Sequence, residues 1–206
     1  MKKAILNYLF VCLFFLISAC SEKEKPLSPL PEDAVILAFG NSLTYGTGTS
    51  REFSYPSILE NLTGFKVINA GVPGEISAKG LQRLPNVLDQ YQPQLLILIH
   101  GGNDILRKIP NQQTEYNLTQ MITLARKHGI EVVMLGVPSF NILSLKSAKF
   151  YEKVATENRV PINLKILPEI ISDNKLKSDS IHPNKQGYQI MAEAIQQLLK
   201  DAGAIN

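Results

Sequence analysis

The segment Asp179-Ser180-Ile181-His182-Pro183 is built for proton transfer. Asp179 stands three residues before His182, close enough to bond a ring nitrogen and set the imidazole tautomer. Pro183 holds the backbone of His182 away from the helical region. Far upstream, Gly40-Asn41-Ser42-Leu43 follows a continuous apolar run. A turn there sets Ser42 near a helix N-terminus, where backbone N–H groups favour negative charge. A hydroxyl, an imidazole and a carboxylate are the ingredients of nucleophilic catalysis. Two other segments could serve it. Asn69-Ala70-Gly71-Val72-Pro73-Gly74 could bring backbone close to a ligand, and Gly101-Gly102-Asn103-Asp104 could aim the Asn103 amide into a cleft.

Taken singly, each segment has a plainer reading. The glycine-rich stretches are turns, Asp104 is a helix cap, and the Ser42 loop is an ordinary bend. His128 ends a helical pattern, where its partial charge suits the dipole. His100 ends an apolar run and reads as a packed or hydrogen-bonded neighbour of the site. No second His or Cys stands at metal-ligand spacing, so no metal is expected. The phosphate loop GxxxxGK[ST] is absent, and Gly46-Thr47-Gly48 lacks the third glycine of a dinucleotide fingerprint, so no cofactor is expected either. The hydrolase elbow GxSxG is also absent.

Elements that could position these residues are legible as alternating strands and helices. Apolar runs occupy Ala34–Phe39, Lys66–Asn69, Gln94–Ile99, Glu131–Leu135 and Val160–Leu164. Runs apolar throughout fit parallel strands buried on both faces, and Pro161 places the fifth at an edge. Helical patterns fall over 54–62, 77–91, 114–128, 146–159 and 184–200, with Pro85 expected to break or bend the second. This alternation predicts a three-layer α/β/α sandwich around a mostly parallel five-stranded sheet. Ligands in such folds lie at the carboxyl ends of the strands, which is where the four segments fall.

The 206 residues are 45% hydrophobic, enough for one domain with a sizeable core. The net charge is only +3, and two of the lysines, Lys2 and Lys3, sit at the extreme N-terminus. No clustered basic footprint for nucleic acid is present. Lys2-Lys3, the apolar stretch Ala4–Ile17 and Ser18-Ala19-Cys20 read as an export signal over 1–19. The ending resembles a bacterial lipoprotein signal, with Cys20 lipidated and the protein held to a membrane on the periplasmic or envelope side; an ordinary cleaved leader or an N-terminal anchor helix is the plainer reading. Cys12 and Cys20 are the only cysteines, so the domain has no disulfide. Residues 20–33, with Pro26, Pro29 and Pro31, read as a semi-extended tether, and 34–206 as the folded domain.

Taken jointly, Gly40-Asn41-Ser42-Leu43, Gly74, Gly102-Asn103-Asp104 and Asp179-x-x-His182-Pro183 resemble the four blocks of the SGNH (GDSL) hydrolases over about residues 34–200. Asn69–Glu75, Gly80-Leu-Gln-Arg-Leu-Pro85 and Gly101–Asp104 look closest to the bacterial thioesterase–lysophospholipase–arylesterase branch. The resemblance implies a flavodoxin-like fold and hydrolysis of acyl esters or thioesters. It implies Ser42 as nucleophile, His182 as general base and Asp179 as its orienting acid. It also implies an oxyanion hole of the Ser42 and Gly74 backbone N–H groups and the Asn103 side chain. The family's Asp before the nucleophile is Asn41 here. The expected substrate is a small-molecule or lipid acyl ester, and the expected state a monomer. Phe140, Ile142, Leu143, Leu145 and Phe150 suggest a wall for an acyl chain or, equally, core packing. The competing readings are a carbohydrate or cell-wall O-acetylesterase, and an inactive binding lipoprotein.

Overall fold

The computed structural model describes residues 26–139 and 146–206. The leader, Cys20 and the acyl-wall candidates Phe140, Ile142, Leu143 and Leu145 lie outside these residues. Five parallel strands form one sheet: β1 (Val35–Gly40), β2 (Lys66–Gly71), β3 (Leu95–Ile99), β4 (Glu131–Leu135) and β5 (Ile162–Asn163). Their order is β2-β1-β3-β4-β5. Every residue of β3 is buried, as both faces of the sheet are covered. β5 is an edge strand of two residues, shorter than the run 160–164 suggests. Pro161 at its start has no N–H to extend the ladder.

The helices are α1 (Ser42–Tyr45), α2 (Tyr55–Thr63), α3 (Ser77–Tyr91), α4 (Gly102–Leu106), α5 (Asn111–Lys127), α6 (Lys149–Asn158), α7 (Ile166–Ser172) and α8 (Lys185–Ala202). One layer packs α2 and α7 against α8, and the other packs α5 between α3 and α6. The three-layer α/β/α sandwich is thus the observed architecture. α3 runs unbroken through Pro85, contrary to expectation. The missing N–H costs one helical bond, but Gly80, Leu84 and Leu88 are buried along one stripe and hold both halves on the sheet. α7 has no counterpart among the helical patterns of the sequence. α6 begins at Lys149, three residues later than 146, and its Phe150 is 4% exposed in the core rather than on an acyl-binding wall.

The tether also differs from expectation. Leu27 is buried in the main core, and Leu30 packs against it. The Leu27 and Leu30 amides donate to the Ala202 and Ala204 carbonyls at 3.0 and 2.8 Å. Pro-rich composition hides this docking, because two leucines suffice to bury a stretch that forms no regular element. Among the described residues, the packed body therefore reaches back to Leu27 rather than starting near Asp33.

Candidate active site

β1 ends at Gly40, whose added Cβ would overlap the Ile99 carbonyl and the Thr44 hydroxyl. The chain turns there into the single turn of α1. Asn41 caps that turn: its side-chain oxygen accepts the Leu43 N–H at 3.2 Å. A cap needs only an acceptor, so the amide serves where the family carries a carboxylate. Ser42 follows as the first helical residue. Tyr188 of α8 donates its hydroxyl to the Thr47 carbonyl at 2.8 Å, fastening the Ser42 segment to the helix that follows His182.

His182 meets Ser42 from the other side of the cleft. Its Nε2 lies 3.0 Å from Ser42 Oγ, and its Nδ1 lies 2.7 Å from Asp179 Oδ2. The carboxylate can only accept, so Nδ1 carries the proton and Nε2 is left to accept from the serine hydroxyl. The other Asp179 oxygen accepts the backbone N–H groups of Ile181 and His182, each at 2.8 Å. Partial burial works against the Asp179 charge. The His182 bond and the two backbone donors outweigh it and hold the carboxyl below its ordinary range. The loop is closed by an antiparallel bridge between Lys177 and Pro183, and by a Ser178 N–H to His182 carbonyl bond of 2.9 Å. Asn184 then caps α8 by accepting from the Gly187 N–H at 3.0 Å.

Gly74 and Asn103 face the same cleft from the ends of β2 and β3. Gly71 packs closely on α1: an added Cβ would strike the backbone of Thr44 and Tyr45. Gly74 has φ +77°, a left-handed conformation that glycine adopts without steric cost. Asn103 Nδ2 donates to the Glu75 carbonyl at 3.0 Å. An amide nitrogen carries two hydrogens, so the second is free for the cleft. Arg107 donates to the Gly74 carbonyl, also at 3.0 Å. Among the described residues, the backbone N–H groups of Ser42 and Gly74 donate to no protein acceptor.

Beneath this loop lies a network that the sequence motifs do not announce. The Glu75 side chain, 7% exposed, accepts two bonds from Arg83 at 2.7 and 2.8 Å and one from His100 Nε2 at 3.1 Å. His100 is fully buried, and its Nδ1 accepts the Gly101 N–H at 3.0 Å. The tautomer is therefore fixed, with the proton on Nε2 facing Glu75. Desolvation opposes the Glu75 charge, but the His100 and Arg83 bonds prevail and lower its pKa. Arg83 also donates to the Ala70 carbonyl at 2.8 Å and lies over the Phe39 ring at 4.0 Å. Gly80 gives the His100 ring its space. Asp104 caps a helix, though not its own: buried, it accepts the Ser77 N–H at 2.8 Å at the start of α3. The sequence signals are adjacency, since Glu75 follows Gly74 and His100 precedes the Gly101 segment, and the family-like stretches 69–75 and 80–85 that hold Glu75 and Arg83.

A hollow of about 240 Å³ opens beside Ser42 and His182, walled by Leu43, Pro73, Leu106, Val137 and Ile181. A larger cavity of about 910 Å³ lies between α6 and α7, bordered by Ser147, Lys149, Glu152, Leu164 and Pro168, and none of Ser42, Asp179 or His182 lines it. Among the described residues, no group of three or more His, Cys, Asp or Glu side chains could hold a metal ion.

An open parallel sheet of this order, with a hydroxyl, an imidazole and a carboxylate in one chain at its switch point, defines a serine hydrolase class. Residues 38–190 match the GDSL-like lipase/acylhydrolase family, and the protein belongs to that family. It is 31% identical over 95% of its length to an arylesterase of Vibrio mimicus, covering 98% of that protein. It is also 31% identical over 77% of its length to thioesterase 1/protease 1/lysophospholipase L1 of Escherichia coli K12, covering 79% of that protein. The crystal structure of TesA superposes with a TM-score of 0.74 at 25% identity, covering 82% of this chain and 99% of the other. The protein is a carboxylic ester hydrolase of the SGNH type.

Proposed function

We propose that Ser42 is the nucleophile, His182 the general base and acid, and Asp179 the residue that orients His182. Ser42 Oγ attacks the acyl carbonyl while its proton passes to His182 Nε2. The carbonyl oxygen becomes an oxyanion, facing the Ser42 and Gly74 backbone N–H groups and the free Asn103 hydrogen. Collapse breaks the bond to the alcohol or thiol, which leaves with the proton from His182. Water then attacks the acyl-serine by the same route in reverse. The observation that carries this reading is the unbroken relay from Ser42 Oγ through His182 to Asp179, at 3.0 and 2.7 Å.

The 240 Å³ hollow favours a short acyl group. Sites for drug-sized ligands begin at about 300 Å³. Its apolar walls suit the alkyl part of an acyl group. Turnover of p-nitrophenyl acetate, butyrate and octanoate tests this: butyrate should lead octanoate in kcat/KM, and a maximum at octanoate would overturn it.

The leader 1–19 and Cys20 support export and lipid anchoring, with Ser21 onward joining the anchor to the body. Mass spectrometry of the membrane fraction tests this: diacylglyceryl-modified Cys20 is expected, and an unmodified residue would exclude an anchor.

A further inference from the structure

The Leu27–Leu30 stretch docks at one pole of the sheet. Leu27 and Leu30 bond the Ala202 and Ala204 carbonyls, and the Ser28 N–H faces Glu131 Oε1 at 3.4 Å. Ala202 is the last residue of α8, and Glu131 is the first of β4. This is the amino end of the parallel strands. Ser42, Gly74 and Asn103 follow the carboxyl ends of β1, β2 and β3, and His182 stands three residues before the first turn of α8. α8 therefore runs from the catalytic pole to the docking pole. Its 18 residues separate them by about 27 Å.

The reach of the anchor is bounded by covalent geometry. From Cys20 to Leu27 the chain spans at most about 25 Å in any conformation. A body of about 180 residues is about 40 Å across, from the scaling of its radius of gyration. Turning the catalytic pole onto the anchoring membrane would lift Leu27 from it by more than the about 27 Å length of α8, beyond the about 25 Å that the fully extended chain spans.

We infer that the anchored enzyme holds its active site away from its own membrane and takes water-borne acyl esters. This inference rests on lipidation of Cys20. Of the two substrate classes expected from the sequence, it favours the small-molecule ester over the lipid acyl ester. The short apolar hollow fits the same substrate class, since a short acyl ester partitions into water. Docked Leu27 is the device: it removes the slack that a free tether over 20–33 would have.

Fluorescence energy transfer tests the orientation on the full-length acylated protein in vesicles. The donor is a fluorescent phosphonate on Ser42, and the acceptor is a headgroup-labelled lipid. A variant with fifteen Gly/Ser residues inserted between Lys25 and Pro26 supplies the slack, and Leu27→Asp frees the docked stretch. The wild type should show the least transfer, with the insertion raising it by about threefold as the added chain outreaches the body. Leu27→Asp should fall between them. Equal transfer in wild type and insertion variant would overturn the inference. Failure of the protein to float with vesicles would overturn both the anchor and the orientation, while phosphonate labelling would still stand for Ser42. Turnover of water-soluble p-nitrophenyl butyrate should be the same in all three proteins, and faster turnover of a vesicle-embedded lysolipid by wild type than by the insertion variant would also contradict it.

Discussion

The two walls of the cleft are built by different means. The Asp179–His182 wall is held by bonds within a few residues: Asp179 to Ile181 and His182, Ser178 to His182, and the Lys177–Pro183 bridge. Asp179 is half exposed, at 51% for its side chain. The Gly74–Asn103 wall is held by bonds between distant segments, Glu75 to Arg83 and His100 and Asp104 to Ser77, with His100 and Asp104 fully buried and Glu75 and Arg83 partly so. A local, wet loop can lose a side chain without disturbing the core. A loop pinned by buried charges cannot, because removing one partner strands another. Substitutions in the first wall should therefore cost rate alone, and in the second both rate and stability.

The largest expected effect is at the nucleophile. Ser42→Ala should lower kcat by about 10⁶ with Tm unchanged, as for other serine triads. Asp179→Asn should lower kcat by about 10⁴ through the wrong tautomer of His182, again with little change in Tm. A large Tm loss there would break the contrast. Asn103→Ala should lower kcat by about 10²–10³ with KM nearly constant.

Glu75→Gln should act on both quantities. A kcat loss of about tenfold is expected, smaller than for Asn103 because Glu75 acts through its loop. Its pH signature is distinct. The folded-state pKa of Glu75 is lowered, so its ionised form contributes stability above the unfolded carboxylate range of about 4.3. That contribution is lost as pH falls below this range. Thermal melts from pH 6 to 3 should show a shallower decline in Glu75→Gln than in wild type. Parallel curves would mean that the network does not stabilise the fold. The smallest effect is expected at Asn41. Asn41→Asp keeps the acceptor for the Leu43 N–H, so kcat/KM should stay within about threefold.

Much of the fold and of the cleft is legible in the amino-acid sequence. The strands declare themselves because buried parallel strands are apolar throughout, as Leu95–Ile99 shows. Asp179 and His182 are legible because their contact is local, and Ser42 because a glycine turn after a strand is visible in sequence. His100 reads as a packed or hydrogen-bonded neighbour of the site, but its partners do not: Glu75 and Arg83 lie eight residues apart across a loop-to-helix boundary, and Glu75 and His100 twenty-five. No periodicity spans such gaps. Leu27 is hidden by the prolines around it, and α7 by its proximity to the short edge strand. Asp104 reads as the cap of its own helix, but it accepts the Ser77 N–H at the start of α3, a partner fixed only by the tertiary fold.

The central claim is that Ser42 is activated by His182. Reaction with a fluorophosphonate, read by peptide mass spectrometry on wild type, Ser42→Ala and His182→Ala, tests it most directly. A single adduct on Ser42 is expected in wild type, none in Ser42→Ala, and a labelling rate lower by at least about 10³ in His182→Ala. Equal labelling of wild type and Ser42→Ala, or an undiminished rate without His182, would contradict it.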